Sequence, residues 1–162
     1  MYAMYADDKH EIEYVMDNLC DDTVIELKKM FGEDYKQTVI NEINKVTDKY
    51  VIKLKKTSEP VGLYGFIHVN ENAAGIYLLT TANLHKGNII TFLKEAKKQI
   101  KIRSKQYGVI MDSLYKKNTV IKKWLKLLGF KPSKYENEDF QIWYKGDINC
   151  YRVRSEELGV RN

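Results

Sequence analysis

Four consecutive residues, His85, Lys86, Gly87 and Asn88, stand directly before a predicted helix, and their types suit the binding of an anion. Histidine and lysine can place positive charge near a phosphate, and the backbone N–H groups at a helix N-terminus attract negative charge. Asn88 can cap the helix through its side-chain oxygen. Turn formation alone also explains these residues, since glycine and asparagine are common in turns. A phosphate site and a simple capped turn therefore both remain open.

Residues suited to acid–base chemistry are sparse. Asp112 lies inside the apolar run VIMDSLY, where burial would raise the pKa of its carboxyl group, but it can equally cap or anchor a neighbouring loop. Tyr115 ends the same run and can serve as a proton donor or as a half-buried aromatic. Glu59 and Glu71 lie in predicted turns. Because no pair of carboxylates stands out, the sequence assigns no general base.

Cysteine and histidine give no sign of a metal centre or of a nucleophilic hydrolase. Cys20 and Cys150 are the only cysteines, and the three histidines are scattered, so metal-ligand spacing is absent. No Gly-x-Ser-x-Gly motif is present. Two distant cysteines are more typical of free thiols in a reducing compartment, such as the cytoplasm, than of a disulfide.

The charge balance bears on possible partners. The formal net charge is +5, from 27 basic and 22 acidic residues, which permits attraction to nucleic acid or to an anionic cofactor. Lys94, Lys98, Lys101 and Lys105 form one face of a predicted helix, the usual pattern of a solvated surface, so nucleic acid is the weaker alternative. Twelve tyrosines suit an interface, so an oligomer or a protein partner is expected. Neither a membrane-spanning run nor a secretory signal is present.

Hydrophobic periodicity predicts three helices in the first third of the chain, over about 9–19, 21–32 and 33–46. Asp21 or Asp22 is expected to cap the second helix, and Gly32 to end it. The period then changes to alternation. KYVIKLKK predicts a half-buried strand with Tyr50, Ile52 and Leu54 on one face and Lys53 and Lys55 on the other. The runs VGLYGFIHV and GIYLLTT complete a three-stranded meander around the turns TSEP and NENAAG.

A long helix over about 88–106 follows the meander. Its predicted apolar stripe consists of Ile89, Leu93, Ala96, Ile100 and Tyr107. Since this helix joins the strand GIYLLTT to the strand VIMDSLY, the three elements form a βαβ crossover with parallel strands. A short helix in NTVIKKWLKLLGF and two strands, FKPSKY and DFQIWYKG, complete the order. The short helix is expected to pack Ile121, Trp124, Leu125 and Leu128 against the sheet and to end in a left-handed stop at Gly129.

The predicted fold class is therefore α/β (α+β), with a mixed, mostly antiparallel sheet, a central crossover and N-terminal helices. We expect one domain over 1–146, with its helical part at about 9–47 and its sheet and crossover helix at about 48–146. Residues 147–162 are expected to form a polar tail or an arm that binds a partner.

This order of elements resembles the GNAT superfamily of acyl-CoA-dependent N-acetyltransferases. Many members carry an asparagine after the penultimate parallel strand, then a short helix, a Gly-Phe pair and an aromatic-rich final strand. Here Asn118, Gly129-Phe130 and the run FQIWY stand in those positions.

A closer resemblance is to the GNAT-like proteins of tailed bacteriophages. The run PVGLYGFIHVNENAAGIYLLTTANL and the opening HEIEYVMDNLCDDTVIEL are similar to theirs. That group includes a minor protein needed for virion assembly. The resemblance therefore implies a virion or assembly component in the cytoplasm of a host cell, with phage structural proteins as partners.

The resemblance also implies a site for acetyl-CoA or CoA. Its pantetheine would bond to strand backbone at Leu79, Thr80 and Thr81, its pyrophosphate would lie at His85, Lys86, Gly87 and Asn88, and Asn118 belongs to the same implied site. The usual glycine-rich loop is reduced to Gly87. Leu125 stands where many members carry the tyrosine acid, which leaves Tyr115 as a substitute and Asp112 as a further candidate. An acetyltransferase-like protein without ordinary catalysis is the main hypothesis, and an active enzyme acting on an amine is the alternative.

Overall fold

The computed structural model describes residues 2–5 and 8–151. The helices are α1 (Lys9–Asp17), α2 (Asp21–Phe31), α3 (Tyr35–Lys45), α4 (Ile89–Gln106) and α5 (Thr119–Leu127). The strands are β1 (Tyr2–Tyr5), β2 (Lys49–Lys53), β3 (Pro60–Asn70), β4 (Ala73–Thr80), β5 (Val109–Tyr115), β6 (Lys131–Glu136) and β7 (Phe140–Gly146). A 3-10 helix covers Ala82–Lys86.

The seven strands form one sheet in the order β1-β2-β3-β4-β5-β7-β6. The pair β4–β5 is parallel, as the crossover through α4 requires, whereas β1–β2, β2–β3, β5–β7 and β6–β7 are antiparallel. The predicted fold class, a mixed and mostly antiparallel sheet with a central crossover and N-terminal helices, is confirmed. The edge strand β1 was not predicted, since MYAMYA has no clear alternation.

The chain divides into two compact units, and their residues are interleaved along β3, β4 and α4. The N-terminal unit comprises the residues up to Phe66 together with Tyr77–Glu95, and the C-terminal unit comprises Ile67–Ile76 and the residues from Ala96 onward. The expectation of a single domain over 1–146 stays a prediction.

The core of the N-terminal unit lies between α1–α3 and one face of the sheet. Ile12, Val15 and Met16 of α1 pack with Val51 of β2 and Leu63 of β3 in one buried cluster. The prediction that β2 is half-buried was wrong. Both Val51 and Ile52 are 0% exposed, because both faces of this strand are covered.

Gly65 of β3 is explained by its neighbour rather than by a turn. A Cβ atom at this position would lie 2.6 Å from the hydroxyl oxygen of Tyr77 and 2.5 Å from the carbonyl oxygen of Asp48. The Tyr77 side chain therefore occupies the space that any larger residue would need. No register shift of the β2–β3 ladder falls at Gly65; the one that occurs lies between Ile52 and Lys53.

Two details of the helices differ from expectation. Cys20 is the N-cap residue of α2, and Asp21 and Asp22 lie in the first turn instead of capping it. In α4, Phe92 is buried, whereas Ile89, which was predicted for the apolar stripe, is 38% exposed. Helix start residues are poorly fixed by local pattern because several adjacent acidic residues satisfy the same rule.

In the C-terminal unit, α5 packs Ile121, Trp124, Leu125 and Leu128 in the interior, as predicted. Gly129 has φ +89°, which confirms the predicted left-handed helix stop. The first residues of the expected tail belong to this unit, since a second cluster brings Ile148, Cys150 and Tyr151 against Ala73, Val109 and Met111. Residues 152–162 of the expected tail lie outside the described residues.

Candidate cofactor site

The segment between β4 and α4 is a series of capped turns. Thr81 starts the 3-10 helix, and its Oγ1 atom accepts a hydrogen bond from the Asn83 backbone N–H at 3.3 Å. Gly87 ends that helix by donating its N–H to the Leu84 carbonyl oxygen. Asn88 then caps α4, since its Oδ1 atom accepts the Ile90 N–H at 3.0 Å. The expected role of Asn88 as a cap is confirmed.

A lysine and a histidine lie directly before the start of α4. His85 and Lys86 are exposed at the end of the 3-10 helix, and the His85 Nδ1 atom lies 2.6 Å from the Ala82 carbonyl oxygen, a contact that fixes the ring. The N-terminus of an 18-residue helix adds partial positive charge and backbone N–H groups. This arrangement can hold an anion, although Asn88 already uses the N–H of Ile90.

The end of β4 is more enclosed than the resemblance implies. Leu79, Thr80 and Thr81 are all buried. The Thr80 carbonyl oxygen accepts the Cys20 N–H at 2.9 Å, and the Thr81 N–H donates to the Val61 carbonyl oxygen at 3.0 Å. A pantetheine chain must therefore use other backbone groups of β4, share the Thr80 carbonyl oxygen with Cys20, or displace one of these bonds.

The Cys20 thiol lies beside this strand end. Its sulfur is 3.1 Å from the Thr23 hydroxyl and 3.4 Å from the Thr80 hydroxyl. Leu19 also forms an isolated antiparallel bridge with Thr81. The connection between α1 and α2 is thus tied to the end of β4 by both backbone and side chain.

A polar network around Glu59 was not expected from the sequence. One oxygen of its carboxylate accepts hydrogen bonds from the Asn83 side-chain amide at 2.8 Å and from the Tyr14 hydroxyl at 3.0 Å. These bonds, that of Asn83 most strongly, and the nearby charge of Lys86 lower the pKa of Glu59. Glu59 therefore stays ionised and is a poor general base. Its partners are 24 and 45 residues away in sequence, so no local motif indicates the network.

The remaining candidate residues lie in the C-terminal unit. Tyr115 is buried, and its ring is tilted against Phe140 with 5.6 Å between the ring centroids. The Oδ1 atom of Asn118 accepts the Ile121 N–H at 3.2 Å, so this residue caps α5. Asp112 is half-buried and faces Trp143 across the β5–β7 ladder.

Two features of this unit bear on acyl transfer. Leu125 is 3% exposed and belongs to the core, so the position where many GNAT sequences carry the tyrosine acid is filled by an aliphatic side chain. The parallel ladder pairs Ala73–Gly75 with Val109–Met111, three residues on each side. The later residues of β5, from Asp112 to Tyr115, pair with β7 and not with β4 in that ladder.

No family model matches the sequence, and no curated protein is significantly similar to it. Solved structures do match. The GNAT domain of S. lividans PAT aligns with 11% identity over 90% of this chain and 89% of its own, with a TM-score of 0.64. A GNAT-family acetyltransferase from Bacillus anthracis aligns with 18% identity over 85% of this chain and 88% of its own, with a TM-score of 0.58.

This chain has the GNAT fold. A third GNAT neighbour, the N-acetyltransferase PseH of Campylobacter jejuni in complex with acetyl coenzyme A, covers 90% of this chain and 99% of its own, with 14% identity and a TM-score of 0.54. At such identities the likeness concerns the GNAT fold and not the activity. Among residues 2–5 and 8–151, no helix is long and apolar enough to cross a membrane, and no three acidic, histidine or cysteine side chains group as metal ligands.

Proposed function

We propose that this chain is an acetyltransferase-like protein that binds acetyl-CoA or CoA, with the phosphates at the N-terminus of α4. The observation that carries the proposal is the geometry after β4: Lys86 and His85 are exposed immediately before a capped helix of 18 residues. The lysine ammonium group, the imidazole N–H and a helix N-terminus together make an anion-binding surface. A bound acetyl-CoA in a protein of the same fold agrees with this role.

Transfer to an amine is expected to be slow or absent. Leu125 cannot donate a proton to the departing thiolate, and Glu59 is held as a hydrogen-bonded carboxylate of lowered pKa. Tyr115 is the one phenol in β5 and α5, and it is the candidate acid for any remaining catalysis. The protein therefore acts mainly by binding, and an active N-acetyltransferase is the alternative.

The proposal is tested by titrating acetyl-CoA and CoA into the protein by calorimetry and by following the rise in melting temperature. Lys86→Glu reverses a charge at the proposed phosphate position, and we expect it to weaken binding by about tenfold, since two charge changes near a helix end are worth about 1.4 kcal/mol. Lys105→Glu, an exposed residue near the other end of α4, is the matched control. The proposal fails if millimolar acetyl-CoA gives no heat and no stabilisation.

We propose as a second function that the protein serves in virion assembly, as a component or as a transient partner of phage structural proteins. The buried Leu125 supports it, because loss of the usual acid with retention of the fold is expected when a protein keeps a binding role. Immunodetection of the protein in purified particles tests the structural version. Co-purification with capsid precursors tests the transient version, and absence from both removes the proposal.

A further inference from the structure

A cavity of about 560 Å³ opens in the C-terminal unit where β5, β6 and β7 meet. The pairing of β6 with β7 shifts register between Pro132 and Glu136, at the same place. The Gln141 side-chain amide donates to the Ser133 carbonyl oxygen at 2.9 Å, so the irregular stretch is held by a bond of its own. Such irregularities are common beside binding sites because they redirect side chains.

Three aromatic rings line this cavity. Tyr135 and Tyr151 meet edge to face with 5.3 Å between their centroids. Phe140 contributes the third ring and is supported from behind by Tyr115. Ser113 adds a hydroxyl group. The lining therefore suits a ligand with an aromatic or large aliphatic body, since rings of this kind contribute most of their energy through apolar contact.

Both signs of charge also line the cavity. Lys134 lies with its ammonium group 5.7 Å from the centroid of the Tyr135 ring. Glu136 is held by Lys116, whose Nζ atom lies 2.9 Å from one carboxylate oxygen. Lys116 also donates to the Asn137 carbonyl oxygen at 2.6 Å, so the carboxylate has a fixed position. Lys134 disfavours a polyamine, and Glu136 disfavours a dianion.

We propose that this cavity binds a zwitterionic small molecule, an α-amino acid with a large apolar side chain. Its carboxylate pairs with Lys134, its ammonium group pairs with the carboxylate of Glu136, and its side chain lies against Phe140 and Tyr151. The volume lies within the range of about 300–1,000 Å³ that small-molecule sites usually occupy.

A role for this ligand as the amine acceptor rests on the alternative given under the proposed function, an active N-acetyltransferase. Ser113 lies two residues beyond Met111, the last β5 residue in the parallel ladder with β4. Ser113 therefore lies in the stretch of β5 that pairs with β7 and not with β4 in that ladder, and it adds a hydroxyl group to the side of the cavity formed by β5. Binding of the amino acid itself does not depend on acetyl-CoA.

The test uses three probes and the full chain without acetyl-CoA. L-Phenylalanine carries both charges, phenethylamine lacks the carboxylate, and 3-phenylpropionate lacks the ammonium group. Calorimetry or ligand-observed NMR should show L-phenylalanine binding about fivefold tighter than either analogue, since one exposed ion pair is worth up to about 1 kcal/mol. Equal binding of the three probes, or no binding of L-phenylalanine, overturns the proposal.

Two variants assign the charges. Lys134→Gln should abolish the preference for L-phenylalanine over phenethylamine, and Glu136→Gln should abolish its preference over 3-phenylpropionate. Lys131→Gln, an exposed residue of the same strand outside the cavity lining, should leave both preferences unchanged. Preferences that persist in the Lys134 and Glu136 variants count against the proposal. If the unmodified protein binds L-phenylalanine but does not bind acetyl-CoA, only the proposed function is refuted.

Discussion

Replacing Asn118 by alanine removes the cap of α5 from a buried position. Asn118 is 1% exposed, and its Oδ1 atom accepts the Ile121 N–H. Loss of a cap costs about 0.5–2 kcal/mol. Since the N–H group that remains is shielded from water, an unsatisfied donor adds to that cost, and we expect a total of about 2–3 kcal/mol. For a chain of this length, the melting temperature should fall by about 4–12 °C.

Urea unfolding followed by circular dichroism measures this effect. Thr119→Ala, at the exposed first residue of the same helix, is the control and should change the free energy of unfolding by less than about 0.5 kcal/mol. Asn118→Asp keeps a capping oxygen and should lose less stability than Asn118→Ala. A stability of Asn118→Ala equal to that of the control would refute the assignment of Asn118 as a structural cap.

The same pair of variants separates stability from cofactor binding. If Asn118 also contacts CoA, Asn118→Asp should weaken acetyl-CoA binding beyond what its stability change explains, because it adds negative charge near a polyanion. Unchanged affinity in Asn118→Asp would limit this residue to its capping role.

Three further outcomes are expected. Gly65→Ala should lower the free energy of unfolding by about 1–3 kcal/mol, because its Cβ would collide with the hydroxyl of Tyr77 and with a backbone carbonyl. Urea unfolding measures this loss, and the double variant with Tyr77→Phe should regain part of the stability. Glu11→Ala should lower the free energy of unfolding by about 1–3 kcal/mol, since its ion pair with Lys53 is largely buried. A double-mutant cycle of the two residues should give a favourable coupling energy, whereas additive losses would argue against the pair. Glu59→Gln should destabilise the protein at pH 7. Because the folded-state pKa of Glu59 is lowered, its contribution is present above the ordinary carboxyl pKa and is lost as the pH falls through the lowered value, so the stabilities of the two proteins should converge as the pH falls below the ordinary carboxyl pKa.

The local sequence pattern predicts an element correctly where that element buries only one face and where capping residues mark its ends. The helix α5 illustrates this, because the apolar stripe and Gly129 agree, and the structure places both as predicted. Periodicity failed for β2, since Val51 and Ile52 point to opposite faces and both are buried. The covering of a second face depends on distant parts of the chain, which alternation cannot report.

The candidate site shows the same division. The capped turn at Asn88 followed from turn chemistry and helix rules. The partners of Glu59 and the backbone bond between Cys20 and Thr80 join segments that are far apart in sequence. Hydrophobic period and capping rules describe neighbours within about four residues, so contacts of this range are beyond them. The cavity beside β6 lies at a register shift, and no residue type in KPSKYE predicts that shift.

The Cys20 N–H donates to the Thr80 carbonyl oxygen, so the exchange rate of this one amide reports whether the end of β4 is closed or open. A ligand that displaces the Cys20 N–H from that carbonyl also detaches the link between α1 and α2, so the binding energy of the ligand is reduced by the cost of breaking this bond. The exchange of the Cys20 amide proton with solvent deuterium then separates two ways of binding. Protection that survives saturation with CoA means that the ligand leaves this bond intact, whereas protection that collapses means that the strand end has opened to receive it.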